Sequence, residues 1–298
     1  MMLPQSQPTA QLPATQAEKK RSIWKSPFFK NKLSVVSGII IIMIILISLF
    51  APLISLYDPD VQDLSKSLEP ASSAHWFGTD MQGRDILSRI IYGTRTTLLG
   101  AVFVVLLSVV VGVPLGLISG YFGGKIDNLI NRVWDVLLAF PTILLAFIIV
   151  ATFGRGFENA VIALGIVYVP MIARLVRSVT LVEKEQSYID AAKALGYSHT
   201  RIIFRHILPN CLSPIIVQVA IDFAYAIIDL AALSFLGLGV QPPTADWGYM
   251  LSEGREYLLI SPNTALAAGF SIMITVIAFN LFGDSLQSQL DPKQRKAS

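Results

Sequence analysis

The chain contains 298 residues, of which 53% are hydrophobic and 14% are charged, and its formal net charge at pH 7 is +3. Soluble domains carry about 25% charged residues, so this composition indicates a membrane protein. The scattered positive charge argues against nucleic-acid binding, and one cysteine with three separated histidines argues against a disulfide or a metal site.

The chain begins with a polar segment that precedes the first apolar run. Residues 1–32 are rich in Gln, Pro and Ala and then basic, which predicts a disordered cytoplasmic tail that ends at the membrane surface. The uncharged run over 33–57 is 25 residues long, whereas the apolar region of a signal peptide has about 7 to 15. We therefore predict a retained first span rather than a cleaved leader.

Six segments are apolar enough to cross a bilayer, for which about 20 residues are needed. The fourth is the shortest, and it requires Arg174 and Arg177 to extend toward the headgroups. If the N-terminus is cytoplasmic, the inner segments hold 17 Lys and Arg residues and the outer loops hold 6, as the positive-inside rule predicts. We predict an all-α integral membrane protein with six transmembrane helices and both termini in the cytoplasm. The predicted spans are 34–56, 97–120, 134–153, 159–176, 212–240 and 264–283.

Residues 83–96 have apolar side chains on one side of a helix and arginines among the other positions. This pattern predicts a helix that lies on the outer membrane interface before the second span. With Arg84, Asp85 and Trp247, the segment either lines the outer mouth and meets a substrate-delivering protein or anchors the chain at the interface.

Residues 119–127, SGYFGGKID, are the nearest approach to a phosphate-binding loop. Ser119 occupies the first glycine position, and Ile126 follows the lysine where Ser or Thr is required. We therefore predict no nucleotide site there, and expect Gly120, Gly123 and Gly124 to form a tight cytoplasmic turn.

Residues 188–210, YIDAAKALGYSHTRIIFRHILPN, interrupt the apolar sequence in the longest predicted cytoplasmic loop. Ser187 and Ser198 are suitable N-caps, and Gly196 is suitable for a left-handed helix end, so two short helices with a turn are predicted. The first presents Ala191, Ala192 and Ala194 for close approach by another protein. The pattern favours docking; the alternative is an amphipathic connector that lies on the bilayer.

Asp222 and Asp229 lie seven residues apart in the fifth span, on nearly the same helix face. Carboxylates at this depth usually face water or the interior of a bundle. Two roles therefore remain open: they line a translocation path, or they hold neighbouring helices together. General acid and base catalysis is not expected, because the sequence places no nucleophile or histidine beside them.

The loop at 188–210 resembles the cytoplasmic "EAA" loop of ATP-binding-cassette importer permeases. Its proposed functional residues are the Asp-Ala-Ala triplet, the glycine, two arginines and the Leu-Pro pair: Asp190, Ala191, Ala192, Gly196, Arg201, Arg205, Leu208 and Pro209. Asp190 stands where Glu is more usual, and His206 stands where the general pattern has Ile. The stretch FRHILPN (204–210) is similar to the peptide and nickel branch of the family, as are residues 75–95, 233–251 and 279–293.

This resemblance implies a type I importer permease fold without enzymatic activity or a bound cofactor. Along the chain, the resemblance implies a tail (1–32), a first span with its outer loop (33–96) and a core permease domain (97–288) that contains a coupling loop (183–210). A C-terminal tail (289–298) follows. The implied partners are membrane lipid, a second permease subunit, an extracytoplasmic binding protein and two ATPase subunits that hold ATP and Mg. The implied location is the bacterial cytoplasmic membrane. The substrate is expected to be a di- or oligopeptide, or alternatively nickel or another small solute.

Two other functions are compatible with the residues alone. A secondary transporter could be driven by protons through Asp222 and Asp229, and it would import its substrate without any ATPase. A membrane scaffold or sensor could use the loop at 188–210 only to dock a cytoplasmic partner. It would not depend on the two carboxylates.

Overall fold

A computed structural model describes residues 32–290, so all but Lys32, Gln289 and Leu290 of the predicted tails (1–32 and 289–298) lie outside these residues. Apart from one isolated β-bridge between Thr79 and Asp85, the regular secondary structure of this part of the chain is helical. The α-helices are α1 (Lys32–Ile54), α2 (Ile86–Phe122), α3 (Gly124–Leu138), α4 (Thr142–Phe153), α5 (Phe157–Glu183), α6 (Ser187–Ala194), α7 (His199–Ile202), α8 (Leu208–Phe235), α9 (Trp247–Arg255) and α10 (Asn263–Leu290).

Within the described residues, five helices or continuous helical segments are long and apolar enough to cross a membrane. They are α1, α2, α5, the α7–α8 segment and α10, and a sixth span results if the bent pair α3 and α4 counts as one. This agrees with six predicted spans, but the third is not a straight helix over 134–153. α3 and α4 meet at an angle of 89°, where Pro141 precedes α4 and cannot donate a backbone hydrogen bond.

The bend leaves α4 with 12 residues, a length of about 18 Å at the rise of an α-helix. This is shorter than the hydrocarbon core of a bilayer, which is about 30 Å thick. α3 differs from α4 because one of its faces carries Lys125, Asn128 and Arg132. The third span therefore consists of an amphipathic helix followed by a short apolar helix.

The pair α2 and α5 forms the centre of the bundle. Gly112, Gly116 and Gly120 follow one another at four-residue spacing on α2 and face α5. A Cβ atom on Gly116 would lie 2.5 Å from the carbonyl oxygen of Ala173 and 2.8 Å from Cβ of Val176. In a membrane, close van der Waals packing of this kind holds helices together, because lipid supplies little hydrophobic driving force.

The main core lies where α2, α4, α5 and α8 meet, and its fully buried residues include Val104, Ala146, Leu164 and Ile227. α1 packs beside α2 and α10 at the edge of the bundle. Near the ends of these helices, the hydroxyl of Ser34 donates to Ser285 Oγ at 2.7 Å. The N-terminal span is thus attached to the last helix by a buried polar contact.

The prediction of a separate interfacial helix at 83–96 is wrong. α2 begins at Ile86 and continues without interruption to Phe122, a length of about 55 Å. Ile86 and Arg89 are buried because the first turns of α2 pack against α9 and α10. Gly120 is likewise part of α2, so only Gly123 and Gly124, both with positive φ, form the predicted turn.

Candidate functional site

The loop between α5 and α8 is held rigidly against the bundle. Ile189 and Ala192 of α6 are buried in a cluster with Ile202 and Ile207 that also receives Leu117 of α2. Ala192 therefore packs inward, contrary to its predicted exposure, whereas Ala191 and Ala194 are exposed as predicted. The apolar positions of the loop fix its orientation relative to the membrane helices.

The turn between α6 and α7 has the geometry that the sequence predicts. Gly196 has a φ of +75°, and the N–H of Tyr197 donates to the carbonyl of Ala192 at 3.1 Å while that of Gly196 donates to Lys193 at 2.9 Å. This pair of bonds is the Schellman arrangement of a helix C-terminus. Ser198 then caps α7 by accepting a bond from the N–H of Arg201. At the other predicted cap the structure differs, because Gln186 occupies the N-cap of α6 and makes no side-chain bond there.

The outward surface of α6 is small, apolar and nearly neutral. We define the docking face as Ala191, Ala194 and Leu195, of which Leu195 is 72% exposed. Beside it, the ammonium of Lys193 donates to Asp190 at 3.0 Å, and this hydrogen bond raises the pKa of the Lys193 side chain. The face can accept another protein without leaving an unpaired charge at the contact.

Aromatic side chains join the turn after α6 to the segment that precedes α8. The ring of Tyr197 stacks on His206 with 6.0 Å between centroids, and the guanidinium of Arg201 lies 4.2 Å from the centroid of the Tyr197 ring. The Nε2 atom of His206 is buried and has no hydrogen-bond partner among the described residues.

The second predicted helix does not end before the fifth span. A π-helical turn over Ile203–Ile207 leads directly into α8, in which Leu208 and Pro209 occupy the first turn. Arg205 is exposed on this turn. The loop is therefore joined to α8 by continuous helix.

Arg84, one of the predicted outer-mouth residues, lies inside a polar cluster at the end of the bundle opposite the coupling loop. Its Nε atom is 2.7 Å from Asp80 Oδ2, and its Nη2 atom is 3.0 Å from Glu253 Oε1 on α9. Asp85 caps α2 through the N–H of Ser88 and lies 2.9 Å from Nδ1 of His75. Arg84 and Asp85 are buried in the chain, and Asp85 borders an open pocket that Tyr57, Lys66 and His75 also line.

Arg89 extends this cluster to two further loops. Its Nη1 atom donates to the backbone carbonyls of Pro59 at 3.0 Å and Pro243 at 3.2 Å. The guanidinium is fully buried and lies 3.5 Å from Asp80 and 3.8 Å from Glu253. We define the outer cap as Asp80, Arg84, Arg89, Trp247 and Glu253.

Trp247 completes the outer cap and is also buried rather than exposed at a membrane interface. Its indole N–H donates to the carbonyl of Ile90 at 3.1 Å, and its ring covers Gly93, which has no side chain to displace it. Asp246 caps α9 through the N–H of Tyr249 at 3.1 Å, and complete burial raises the pKa of the Asp246 carboxyl. Asp80 and Glu253 are not among the predicted site residues. Glu253 lies 169 residues from Arg84, and nothing in the local sequence distinguishes Asp80 from an exposed loop carboxylate.

The two carboxylates of α8 lie within the bundle formed by this chain. Asp222 is 1% exposed and accepts a hydrogen bond from Gln218 at 2.7 Å. Its other oxygen has no partner among residues 32–290. Asp229 accepts a bond from the Tyr168 hydroxyl of α5 at 2.8 Å. These contacts agree with a structural role, and a role in the translocation path stays a prediction.

The part of the chain that the structure describes contains no group of three or more His, Cys, Asp or Glu residues placed to hold a metal ion. The family described as binding-protein-dependent transport system inner membrane component matches residues 112–296, which include the coupling loop. The N-terminal transmembrane domain of oligopeptide transport permease C matches residues 21–71.

Several curated relatives match nearly the whole chain. The dipeptide transport system permease protein of Alkalihalophilus pseudofirmus is 50% identical and covers 92% of this chain and 91% of its own length. The glutathione transport system permease protein of Pectobacterium atrosepticum is 43% identical, with 95% and 96% covered. The probable D,D-dipeptide transport system permease protein of Escherichia coli K12 is 41% identical, with 88% of each chain covered.

The fold is also similar to that of a solved structure, an inward-facing conformation of the MetNI methionine ABC transporter. The TM-score is 0.57 at 19% identity, and the match covers 69% of this chain and 98% of the other. This likeness concerns the fold alone. The two family matches and the close relatives show that the chain belongs to the binding-protein-dependent transport system inner membrane component family, as a C-type permease of the peptide group.

Proposed function

We propose that the chain is one of two membrane-spanning subunits of an ATP-driven importer of di- or oligopeptides in the bacterial cytoplasmic membrane. A second permease subunit, two ATPase subunits and an extracytoplasmic binding protein complete the complex. ATP and Mg are held by the ATPase subunits. Both termini and the loop at 183–210 face the cytoplasm, as the distribution of Lys and Arg favours.

The observation that carries this proposal is the docking face on a rigid loop. Ala191, Ala194 and Leu195 are exposed, while Ile189 and Ala192 anchor the same helix to the bundle. An ATPase subunit seated on this face moves α6 when two ATPase subunits close around ATP. Because the loop is packed against α2 and α5 and continues into α8, the movement reaches the membrane helices and changes access to the substrate path.

The remaining residues of the predicted coupling loop have supporting roles in this proposal. Gly196 sets the angle between α6 and α7, and Arg201 stabilises the turn from the face of Tyr197. Asp190 and Arg205 are exposed and are available to the ATPase subunit. Leu208 and Pro209 begin α8, so they transmit the movement into the fifth span.

The relatives favour peptides as the substrate. Those cited above are named for the transport of dipeptides, D,D-dipeptides or glutathione, and each of these compounds is a short peptide. Nickel and other small solutes are the alternative within the same family. A proton-driven transporter is a weaker candidate, because it requires neither the docking face nor its rigid attachment.

Uptake in the native cell tests the proposal directly. Labelled dipeptide and, separately, labelled nickel are supplied to cells with and without the gene. The measurement is repeated after ATP depletion, with the proton gradient maintained. We expect dipeptide uptake to require both the gene and ATP. Uptake of nickel alone would contradict the substrate, and gene-dependent uptake that survives ATP depletion would contradict the energy source.

A further inference from the structure

Two ion pairs join α3 to α5, and they differ in their surroundings. Asp127 receives both Nε and Nη2 of Arg177, each at 2.6 Å, and the two side chains are 13% and 30% exposed. Arg174 and Asp135 also form a pair, at 2.5 Å, but their side chains are 45% and 67% exposed. Exposed pairs contribute little to stability, whereas a bidentate, partly buried pair fixes geometry.

Asp127 is also the centre of a larger set of hydrogen bonds. Besides Arg177, its carboxylate accepts bonds from the hydroxyl of Ser119 in the last turn of α2 and from the amide of Asn131 at 2.6 Å. One side chain thus joins the end of α2, the start of α3 and the end of α5. Gly123 and Gly124, which connect α2 to α3, have positive φ. Among the described residues, no atom of another segment lies within 4 Å of their Cβ positions, so packing does not hold this backbone in place. The side-chain bonds therefore fix the corner.

The same corner contacts the coupling loop directly. The ammonium of Lys184, which follows α5, donates to the carbonyl of Gly120 at 3.0 Å. The hydroxyl of Tyr121 lies 2.9 Å from Nδ1 of His199, the first residue of α7. The loop, the end of α2 and the end of α5 are therefore connected as one unit, and Asp127 attaches α3 to it.

We propose that Asp127 is a positioning residue for transport: through Arg177 and Ser119 it makes α3 move with the coupling loop. This inference rests on the proposed function of the loop. Because α3 meets α4 at 89°, a displacement of α3 along its own axis shifts α4 sideways within the membrane. Asp127 thus links the docking of the ATPase subunit to the short apolar helix of the third span.

α3 has a second attachment that does not involve Asp127. Trp134 is buried against Val169 and Ala173 of α5, so replacement of the carboxylate leaves the helix packed on the bundle. We therefore expect Asp127→Asn to assemble into the complex and to alter coupling rather than folding. Asp135→Asn, which removes the exposed ion pair between the same two helices, is the matched control.

The experiment uses the complex purified through a tag on this chain and reconstituted into liposomes. Dipeptide transport and ATP hydrolysis are measured together, so that the number of peptides transported per ATP is known. We expect Asp127→Asn to lower this ratio by about tenfold, as the loss of charge-assisted bonds predicts, and Asp135→Asn to leave it unchanged. The inference is overturned if Asp127→Asn transports the same number of peptides per ATP as the wild type, whether or not transport and ATP hydrolysis both become slower.

Two further measurements keep the test independent of assembly and of the substrate. If Asp127→Asn does not assemble, Arg177→Lys retains the charge without the bidentate geometry and should lower the ratio by a smaller factor. Spin labels at the exposed positions Leu129 on α3 and Thr200 on α7, outside the docking face, report whether α3 and the loop move together. In the wild type, we expect the distance between the two labels to be the same with and without ATP. In Asp127→Asn, we expect this distance to change when ATP is added. A wild-type separation that changes with ATP overturns the inference, whereas absent dipeptide transport with an unchanged separation contradicts only the proposed substrate.

Discussion

Arg84 and Glu253 are 169 residues apart in sequence, yet their side chains form an ion pair with 3.0 Å between Nη2 and Oε1. Arg84 is 2% exposed and Glu253 is 16% exposed, so the Arg84 guanidinium has little access to water if this contact is broken. The pair connects the loop before α2 to α9. The outer cap therefore depends on a charged contact to a buried arginine, and loss of the partner of that arginine is costly.

We predict that Glu253→Gln destabilises the complex by about 1–3 kcal/mol, because Arg84 and Arg89 lose a charged acceptor. The midpoint of thermal unfolding of the detergent-solubilised complex measures this change. Glu256→Gln is the control, since this residue is exposed directly after α9 and should leave the midpoint unchanged. Equal midpoints for the two variants would contradict the role given to Glu253.

The packing of α2 on α5 predicts a strong effect of one methyl group. Gly116→Ala places Cβ against the backbone of Ala173, so the helices must separate, at a cost of about 1–3 kcal/mol. Gly38→Ala in α1 is the control, because no described atom lies within 4 Å of its Cβ position. It should be neutral or stabilising by up to about 1 kcal/mol, since alanine favours a helix. Thermal unfolding of both variants distinguishes close packing from a general intolerance of substitution.

The sequence predicted the features that depend on local pattern. The apolar runs gave the spans, Ser198 gave the cap of α7, and Gly196 gave the left-handed turn. The resemblance to importer permeases pointed to the loop at 183–210, whose coupling role stays a prediction. Each of these properties depends on residues that are near one another in the chain.

Contacts between distant segments could not be predicted in this way. Arg84 and Arg89 resemble the polar face of a surface helix, because nothing local shows that Glu253 and the carbonyl of Pro243 approach them. The local sequence shows Asp127 only at the end of an incomplete phosphate-loop pattern, because its partner Arg177 lies 50 residues away. One missed signal was visible: glycines at 112, 116 and 120 have the spacing of a close helix contact.

The docking face predicts that a substitution there weakens assembly with the ATPase subunits without affecting the folding of this chain. Leu195→Glu adds a charge to a 72% exposed position of that face, so we expect a weaker association with the ATPase subunits and an unchanged thermal midpoint of the permease. The yield of ATPase subunit recovered with a tagged chain measures association. Leu259→Glu is the control, because Leu259 is fully exposed in the loop between α9 and α10. A full yield with Leu195→Glu would contradict the location of the docking face.

The burial of Asp222 predicts that it affects peptide transport only indirectly. Asp222→Asn preserves the shape of the side chain and an oxygen that accepts the bond from Gln218. We expect the KM for dipeptide to stay within about twofold of the wild-type value, because helices of the same chain enclose the side chain. A several-fold rise in KM at unchanged stability would instead place Asp222 in the translocation path.

The backbone conformation of Gly196 predicts that the angle of the turn between α6 and α7 is essential for coupling. A side chain at this position meets open space, so a substitution acts through the backbone, whose φ is +75°. Gly196→Val opposes this dihedral by about 1–2 kcal/mol or more, which reorients α7 relative to α6 and should strongly reduce ATP-dependent uptake. Asn tolerates the left-handed region far better, so Gly196→Asn should retain most of the uptake. Full uptake with Gly196→Val would mean that the turn angle is not needed for coupling, and equal losses with both variants would mean that the ATPase subunit requires the bare backbone at this position.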